Sequence, residues 1–370
     1  MKDYHICARN AALKGDVFIR KTFANVYVDR PSLDYAHLSR FPTMIACTHR
    51  SHMDYIILGI EMQKLGYTNL RFAAGDNLTN MPYIGKKFRS WGAFPVYRAH
   101  SQRRSYIFKL TEQVVTMLND QENIIVFPEG GRSYNGAMMQ IKSGILAANI
   151  IAQYRYPEKE YMYLPVAISY ERLPELLYFE LLQKGKVLRD GKKNGISRIR
   201  GNLYYFGSDL MAFAVFLSAH KFGKKFGDVY IDFGEPVAVN DIVDVKADYS
   251  SKSRNEFFAH KVAMQKVGEF MHDQLLKLYR ILPMHVVAAI VKRKGFCTFW
   301  EAASLVPDVI DSLKRKSRNC KSLQSLQEQE IVEKGLQQLR YSNAVRSEGG
   351  KLIPCNRRMI NYYSASIEGI

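Results

Sequence analysis

In this 370-residue chain, short apolar runs recur, and each is closed by a polar motif and followed by a helix-length stretch. Met44–Cys47 leads into Thr-His-Arg-Ser-His-Met-Asp (residues 48–54) and a helical pattern over Tyr55–Leu65. Leu70–Ala74 leads into a glycine-containing loop. Ala93–Val96 ends at Tyr97-Arg98, before an amphipathic stretch over Ser105–Leu118. Asn123–Phe127 runs into Pro-Glu-Gly-Gly-Arg-Ser, with a helix expected over Ser143–Gln153. Val26–Val28, Tyr161–Ser169 and Val229–Phe233 read as further strands. Such alternation predicts an α/β fold, a mixed, mostly parallel sheet flanked by helices on both faces. In sheets of this kind ligands bind beyond the carboxyl ends of the strands, where three of the polar motifs stand.

The pattern changes near residue 250. Asn255–Tyr279 reads as one long helix with apolar residues three to five apart. A basic connector around Lys314–Lys321 and a helix over Ser322–Leu339 follow. The expected division is an α/β domain over residues 1–250, with its motifs within 44–172, and a helical C-terminal region over 251–370.

The formal net charge of +18 points to a polyanionic partner: nucleic acid, an anionic membrane surface, or an acidic protein or metabolite. Lys184–Arg200 concentrates seven basic residues against one acid, between the aromatic-rich stretches Tyr178–Leu182 and Tyr204–Phe216. It reads either as a solvated loop or as a dock for lipid headgroups or an acidic carrier protein. The five scattered cysteines form no CxxC pair, which suggests a reducing compartment. The N-terminus lacks the apolar stretch of a signal peptide. Leu210–Ala219 and Ile281–Val291 fall well short of the roughly 20 residues that span a bilayer, so no transmembrane helix is expected.

Four motifs carry chemistry. His49 and Asp54 stand five apart where a strand ends and a helix begins. A turn that brings them together lets Asp54 hold one ring nitrogen and leaves the other as a base. By spacing alone the pair is as readily structural. In Phe127–Ser133 the glycines Gly130 and Gly131 allow close backbone approach, and Arg132 offers a fork of donors to a phosphate. Glu129 either binds a substrate hydroxyl or orients Arg132. The same residues also suit a plain strand-to-helix turn. Gly92, Phe94 and Arg98 lie in a third motif, in which Arg98 either completes a phosphate clamp or is solvated. In Leu164–Arg172 most residues read as core, with Pro165 at the strand start and Tyr170 at its exit.

Taken in order, HRSHMD, GAFPVYR, FPEGGRS and LPVAISY resemble the four blocks of the glycerolipid acyltransferase family, over roughly residues 40–240. Arg50 and Ser51 within the first block, the Gly130-Gly131 pair, and the later stretches Val229–Val237 and NYYSASIEGI are similar to its glycerol-3-phosphate acyltransferase branch. Pro128 is more typical of enzymes acylating lysophosphatidate, and Pro95 and Tyr97 depart from the second block. The resemblance implies that His49 takes the proton of the sn-1 hydroxyl of glycerol 3-phosphate while Asp54 orients the ring. The hydroxyl then attacks an acyl thioester directly, without an acyl-enzyme, in phospholipid biosynthesis. Arg98 and Arg132 would hold the acceptor phosphate, with Glu129, Gly130, Gly131 and Ser133 shaping that site. The co-substrate would be acyl-CoA or acyl carrier protein, with no metal and no other cofactor. The protein would be cytoplasmic and peripheral on an anionic membrane. Lysophosphatidate and dihydroxyacetone phosphate stand as alternative acceptors.

Other classes fit less well. The sequence holds no GxSxG elbow and no P-loop. His49, His52 and Asp54 form too small a set for a dedicated metal site. A basic nucleic-acid- or membrane-binding protein without activity is the rival of another kind. No nucleic-acid motif accompanies the charge, and no nucleic-acid partner is expected.

Overall fold

The computed structural model describes residues 15–75, 79, 84–97, 103–173, 175, 226–253 and 255–368. Arg98, Lys184–Arg200, the aromatic stretches on either side of it and Leu210–Ala219 lie outside the described residues.

The main sheet is built from β1 (Val26–Asp29), β2 (Thr43–Cys47), β3 (Leu70–Gly75), β4 (Ala93–Val96), β5 (Asn123–Val126), β6 (Met162–Tyr170), β7 (Val229–Phe233) and β8 (Val237–Ala238). Its order is β1-β7-β6-β2-β5-β3-β4, with β8 also on β6. Pairing is parallel except where β6 meets β7 and β8. The mixed, mostly parallel sheet expected from the alternation is therefore present. Central β2, β5 and β6 are buried at every residue, as strands covered on both faces must be.

Pro165 lies in the middle of β6, opposite Ala46, and not at the strand start that the sequence suggested. A central strand tolerates it because its backbone faces the side where β7 has ended and β8 has not begun. Its carbonyl there accepts the amide of Gly234 at 2.9 Å, and the N–H it lacks falls in the gap.

The helices that cover the sheet are α1 (residues 15–22), α2 (Asp54–Lys64), α3 (Ile84–Ser90), α4 (Arg104–Asn119) and α5 (Ser143–Arg155). In the C-terminal region the long helix expected over Asn255–Tyr279 is broken. Asn255 caps a single turn, Glu256–Ala259, and α6 (Lys261–Leu278) starts after His260. The break puts the fully buried His260 ring edge-on to Tyr154 and Tyr249. Helices α7 (Pro283–Lys294), α8 (Phe299–Arg315), α9 (Glu328–Tyr341) and α10 (Arg357–Glu368) follow. The sequence reading missed α7 and α8, and it began α9 at Ser322, six residues before the capping box of Gln327 and Glu330 starts the helix. It also missed the antiparallel sheet of β9 (Cys297–Thr298), β10 (Val345–Glu348) and β11 (Lys351–Pro354).

Helix α7 is the hub of this region. Pro283–Val291 are all buried, and α8, α9 and α10 pack round it. One apolar cluster joins Ile45, Leu164 and Ile168 of the sheet to Val287, Leu339 and Ile360 of these helices. The helices are thus built onto the sheet. No helix among the described residues is long and apolar enough to cross a membrane.

Candidate active site

The loop after β2 closes on the first residue of α2. Asp54 is fully buried, and one of its oxygens, Oδ2, gathers three donors: His49 Nδ1 at 2.9 Å, the Arg50 amide at 2.7 Å and the Ser51 amide at 2.9 Å. Its other oxygen accepts the Tyr170 hydroxyl from the end of β6. A carboxylate this well furnished with donors is fixed in place, which is what an orienting group requires. Tyr170 acts through Asp54, and burial beside that carboxylate pushes its phenol well above the ordinary range.

His49 is the exposed end of this chain of contacts, with 13% of its side chain open to solvent. Its ring stacks on Phe127 with centroids 4.2 Å apart. Its amide donates to Glu129 Oε1 at 2.9 Å, and its carbonyl accepts from the Ser133 amide at 3.1 Å. The loops after β2 and β5 are therefore stitched together at the histidine. Burial is the strongest influence on the imidazole and lowers its pKa. The hydrogen bond and charge of Asp54 oppose that, Arg132 and His52 reinforce it, and the net shift is downward. A lowered value keeps the ring neutral, and hence basic, at and somewhat below neutral pH. The acid limb of a pH–rate profile is thus expected below the usual imidazole value of about 6.5. Because Asp54 raises the pKa, Asp54→Asn should move that limb lower still. It should also reduce kcat by on the order of 10⁴, since the amide no longer holds the right tautomer. Initial rates across pH for both proteins check this.

Glu129 is fully buried, and its carboxylate serves the chain itself. Oε1 takes the His49 amide, and Oε2 takes the Met139 amide at 2.8 Å and Arg50 Nη1 at 3.4 Å. The arginine it meets in this way is Arg50, which was expected only as a supporting residue. Arg50 also donates to the Ala137 carbonyl and lies over the Tyr279 ring. Arg132 is buried, stands over the Tyr134 ring, and its charge bears on His49. Gly130 takes φ +69°, which places the turn in the left-handed region, and the space around Gly131 is open. The Ser133 hydroxyl is committed to its own loop, through the Ala137 carbonyl and Asn135 Oδ1. Gly92, at φ +102°, turns the chain into β4, and Phe94 is a core residue beneath the sheet. Arg98 lies outside the described residues.

Three contributors escaped the sequence reading. Glu175, buried just beyond β6, accepts the Ser51 hydroxyl at 2.8 Å and the His52 amide at 2.7 Å, and so braces the His49 loop from the far side. Its sequence signal was slight: one more acid after Tyr170-Glu171. Phe127 stood inside a quoted motif without a role. Tyr279, more than 200 residues from Arg50, had no local signal at all. Gly136 is a further tie, at φ +84° with the Tyr362 carbonyl where a Cβ would stand. There the loop after β5 is pressed against α10, and Ser366 of α10 donates to the Gly136 carbonyl.

Residues 32–169 match the family model described as Acyltransferase. Curated relatives are named glycerol-3-phosphate acyltransferase. One from Xanthomonas axonopodis is 32% identical over 53% of this chain and 20% of its own length. One from Xylella fastidiosa is 30% identical over 56% of this chain and 22% of its own. A third, from Pseudomonas putida, is 30% identical over 65% of this chain and 27% of its own. The matched part of this chain therefore spans about a quarter or less of the length of these relatives.

Proposed function

We propose that this protein, whose residues 32–169 match the acyltransferase family model, transfers a fatty acyl group from a thioester to the sn-1 hydroxyl of glycerol 3-phosphate. The observation that carries the reading is His49 held by Asp54 at 2.9 Å, at the carboxyl end of a central strand, with a buried arginine acting on it. An Nδ1–H donated to Asp54 leaves Nε2 as the base. Nε2 takes the hydroxyl proton as the acceptor oxygen attacks the thioester carbonyl. The tetrahedral intermediate collapses with loss of the C–S bond, and the departing thiolate recovers the proton from the imidazolium. The products are the ester and the free thiol, and no covalent enzyme intermediate is needed. Arg132 and Arg98 hold the acceptor phosphate, and Glu129 and Glu175 keep the two loops in register. The donor is acyl-CoA or acyl carrier protein. The names of the relatives favour glycerol 3-phosphate over lysophosphatidate or dihydroxyacetone phosphate, and the +18 charge suits peripheral attachment to an anionic membrane.

An assay pairing both donors with the three acceptors tests the reading. Transfer to glycerol 3-phosphate should dominate, and no transfer to any acceptor would refute it. Arg132→Ala should raise the KM for the phosphate acceptor roughly 10- to 100-fold with a smaller change in kcat, because it removes a charged hydrogen-bonding partner and not the base. Steady-state kinetics with the acceptor varied measure the split.

A further inference from the structure

We propose that the turn Lys292–Trp300, at the end of α7 remote from the active-site loops, seats this protein on an anionic lipid surface. The run reads Lys-Arg-Lys-Gly-Phe-Cys-Thr-Phe-Trp. Cys297 tucks inward, while Phe296 and Trp300 on either side of it are 58% and 66% exposed. Aromatic side chains this large usually find cover in a folded protein, and two of them in one turn call for a partner. Phe299 lies half-buried beneath Trp300, with ring centroids 5.4 Å apart. Charge surrounds this apolar tip. Arg293 and Lys294 precede it on the exposed end of α7. Lys351, opposite Thr298 in the small sheet, reaches over the Phe296 ring at 5.0 Å. Two acids are close by: the Glu301 carboxylate is engaged with the Thr298 amide and hydroxyl at the start of α8, and Glu348, opposite Lys351 in the hairpin, pairs with Arg346 at 3.1 Å.

Exposed aromatic rings ringed by lysine and arginine suit the headgroup level of a bilayer. There the rings enter the acyl boundary and the cations meet lipid phosphates. A protein partner fits less well, because lysine is depleted from the cores of protein interfaces. The placement suits the proposed chemistry as well. At the other end of α7, His285 stacks on Tyr279 with ring centroids 6.0 Å apart, and Arg50 of the His49 loop lies over the same Tyr279 ring. The helix has 12 residues, so the docking turn stands roughly 18 Å away along its axis. The proposal specifies the membrane-facing part of the reading above, and it is tested without turnover.

The chain holds two tryptophans, so Trp91→Phe leaves Trp300 as the reporter. With vesicles of equal parts phosphatidylcholine and phosphatidylglycerol, Trp300 emission should shift to the blue and the protein should co-sediment. Phosphatidylcholine alone should do neither. In the wild-type background, Phe296→Ala with Trp300→Ala should weaken sedimentation by about tenfold, through lost apolar area. Arg293→Ala with Lys294→Ala should weaken it roughly 20-fold. Lys314→Ala with Arg315→Ala, exposed cations at the far end of α8, should have a much smaller effect. The proposal is overturned if Trp300 emission stays fixed while the protein sediments, or if the Lys314/Arg315 pair matters as much as Arg293/Lys294. It is equally overturned if the turn substitutions abolish binding to acyl carrier protein and leave vesicle binding intact. Melting temperatures of the alanine variants should match the wild type, since the side chains they remove are exposed.

Discussion

His49→Ala should lower kcat by about 10²–10⁴ while the melting temperature changes little. The ring is the most exposed member of its network, and the elements that stitch the loops together are its own amide and carbonyl, which alanine retains. What alanine loses is the lone pair on Nε2 and the stacking on Phe127. Asp54 then keeps the amides of Arg50 and Ser51 and the Tyr170 hydroxyl as donors, so no unpaired charge is created. The KM for the phosphate acceptor should stay within a few-fold of wild type, because Arg132 is untouched. Rates near wild type in a folded His49→Ala protein would remove the histidine from the mechanism.

Arg280→Met should cost about 3–5 kcal/mol of stability, the usual result of removing one member of a buried ion pair. Arg280 follows α6 and ties the C-terminal region to the sheet. Its Nε donates to Asp232 Oδ2 at 3.0 Å, its Nη2 donates to Asp232 Oδ1 and to Asp29 Oδ2, and its amide donates to Ser169 Oγ at 3.1 Å. Methionine keeps most of the volume and leaves Asp232, 3% exposed, with only Asn319 as a side-chain donor among the described residues. The pH dependence has a defined sign. Burial already holds the Asp232 carboxyl above its ordinary value despite Arg280. Without the guanidinium it rises further, so the folded variant binds a proton more readily than its unfolded chain. The loss should therefore be greatest at neutral pH and shrink on acidification, as Asp232 becomes neutral. Thermal melts of both proteins between neutral and mildly acidic pH provide the comparison. A deficit that does not vary with pH would mean that packing, and not the stranded charge, is responsible.

The strand-helix alternation was legible because each β-αβ step is local. Apolar runs of four to nine residues closed by a turn set β2 through β7 to within one or two residues. The candidate catalytic pair was legible for the same reason: His49 and Asp54 sit on one short loop, and Arg132 follows in a motif at the next central strand. The C-terminal region was harder. Residues Pro283–Val291 of α7 are buried all round and show no amphipathic face. Pro307 interrupts the pattern of α8, which nevertheless runs from Phe299 to Arg315.

By itself, then, the sequence determined the class of fold and the position of the candidate reactive loop, since period, turn chemistry and motif order act over a few residues. Only the tertiary structure decided how that loop is held. Glu129 grips the His49 amide from 80 residues away, Glu175 grips Ser51 from 124, and Tyr279 lies under Arg50 from the far side of the chain. Contacts of that range depend on which strands lie side by side and which helices press on them, and no local pattern encodes the distance between residues so far apart along the chain.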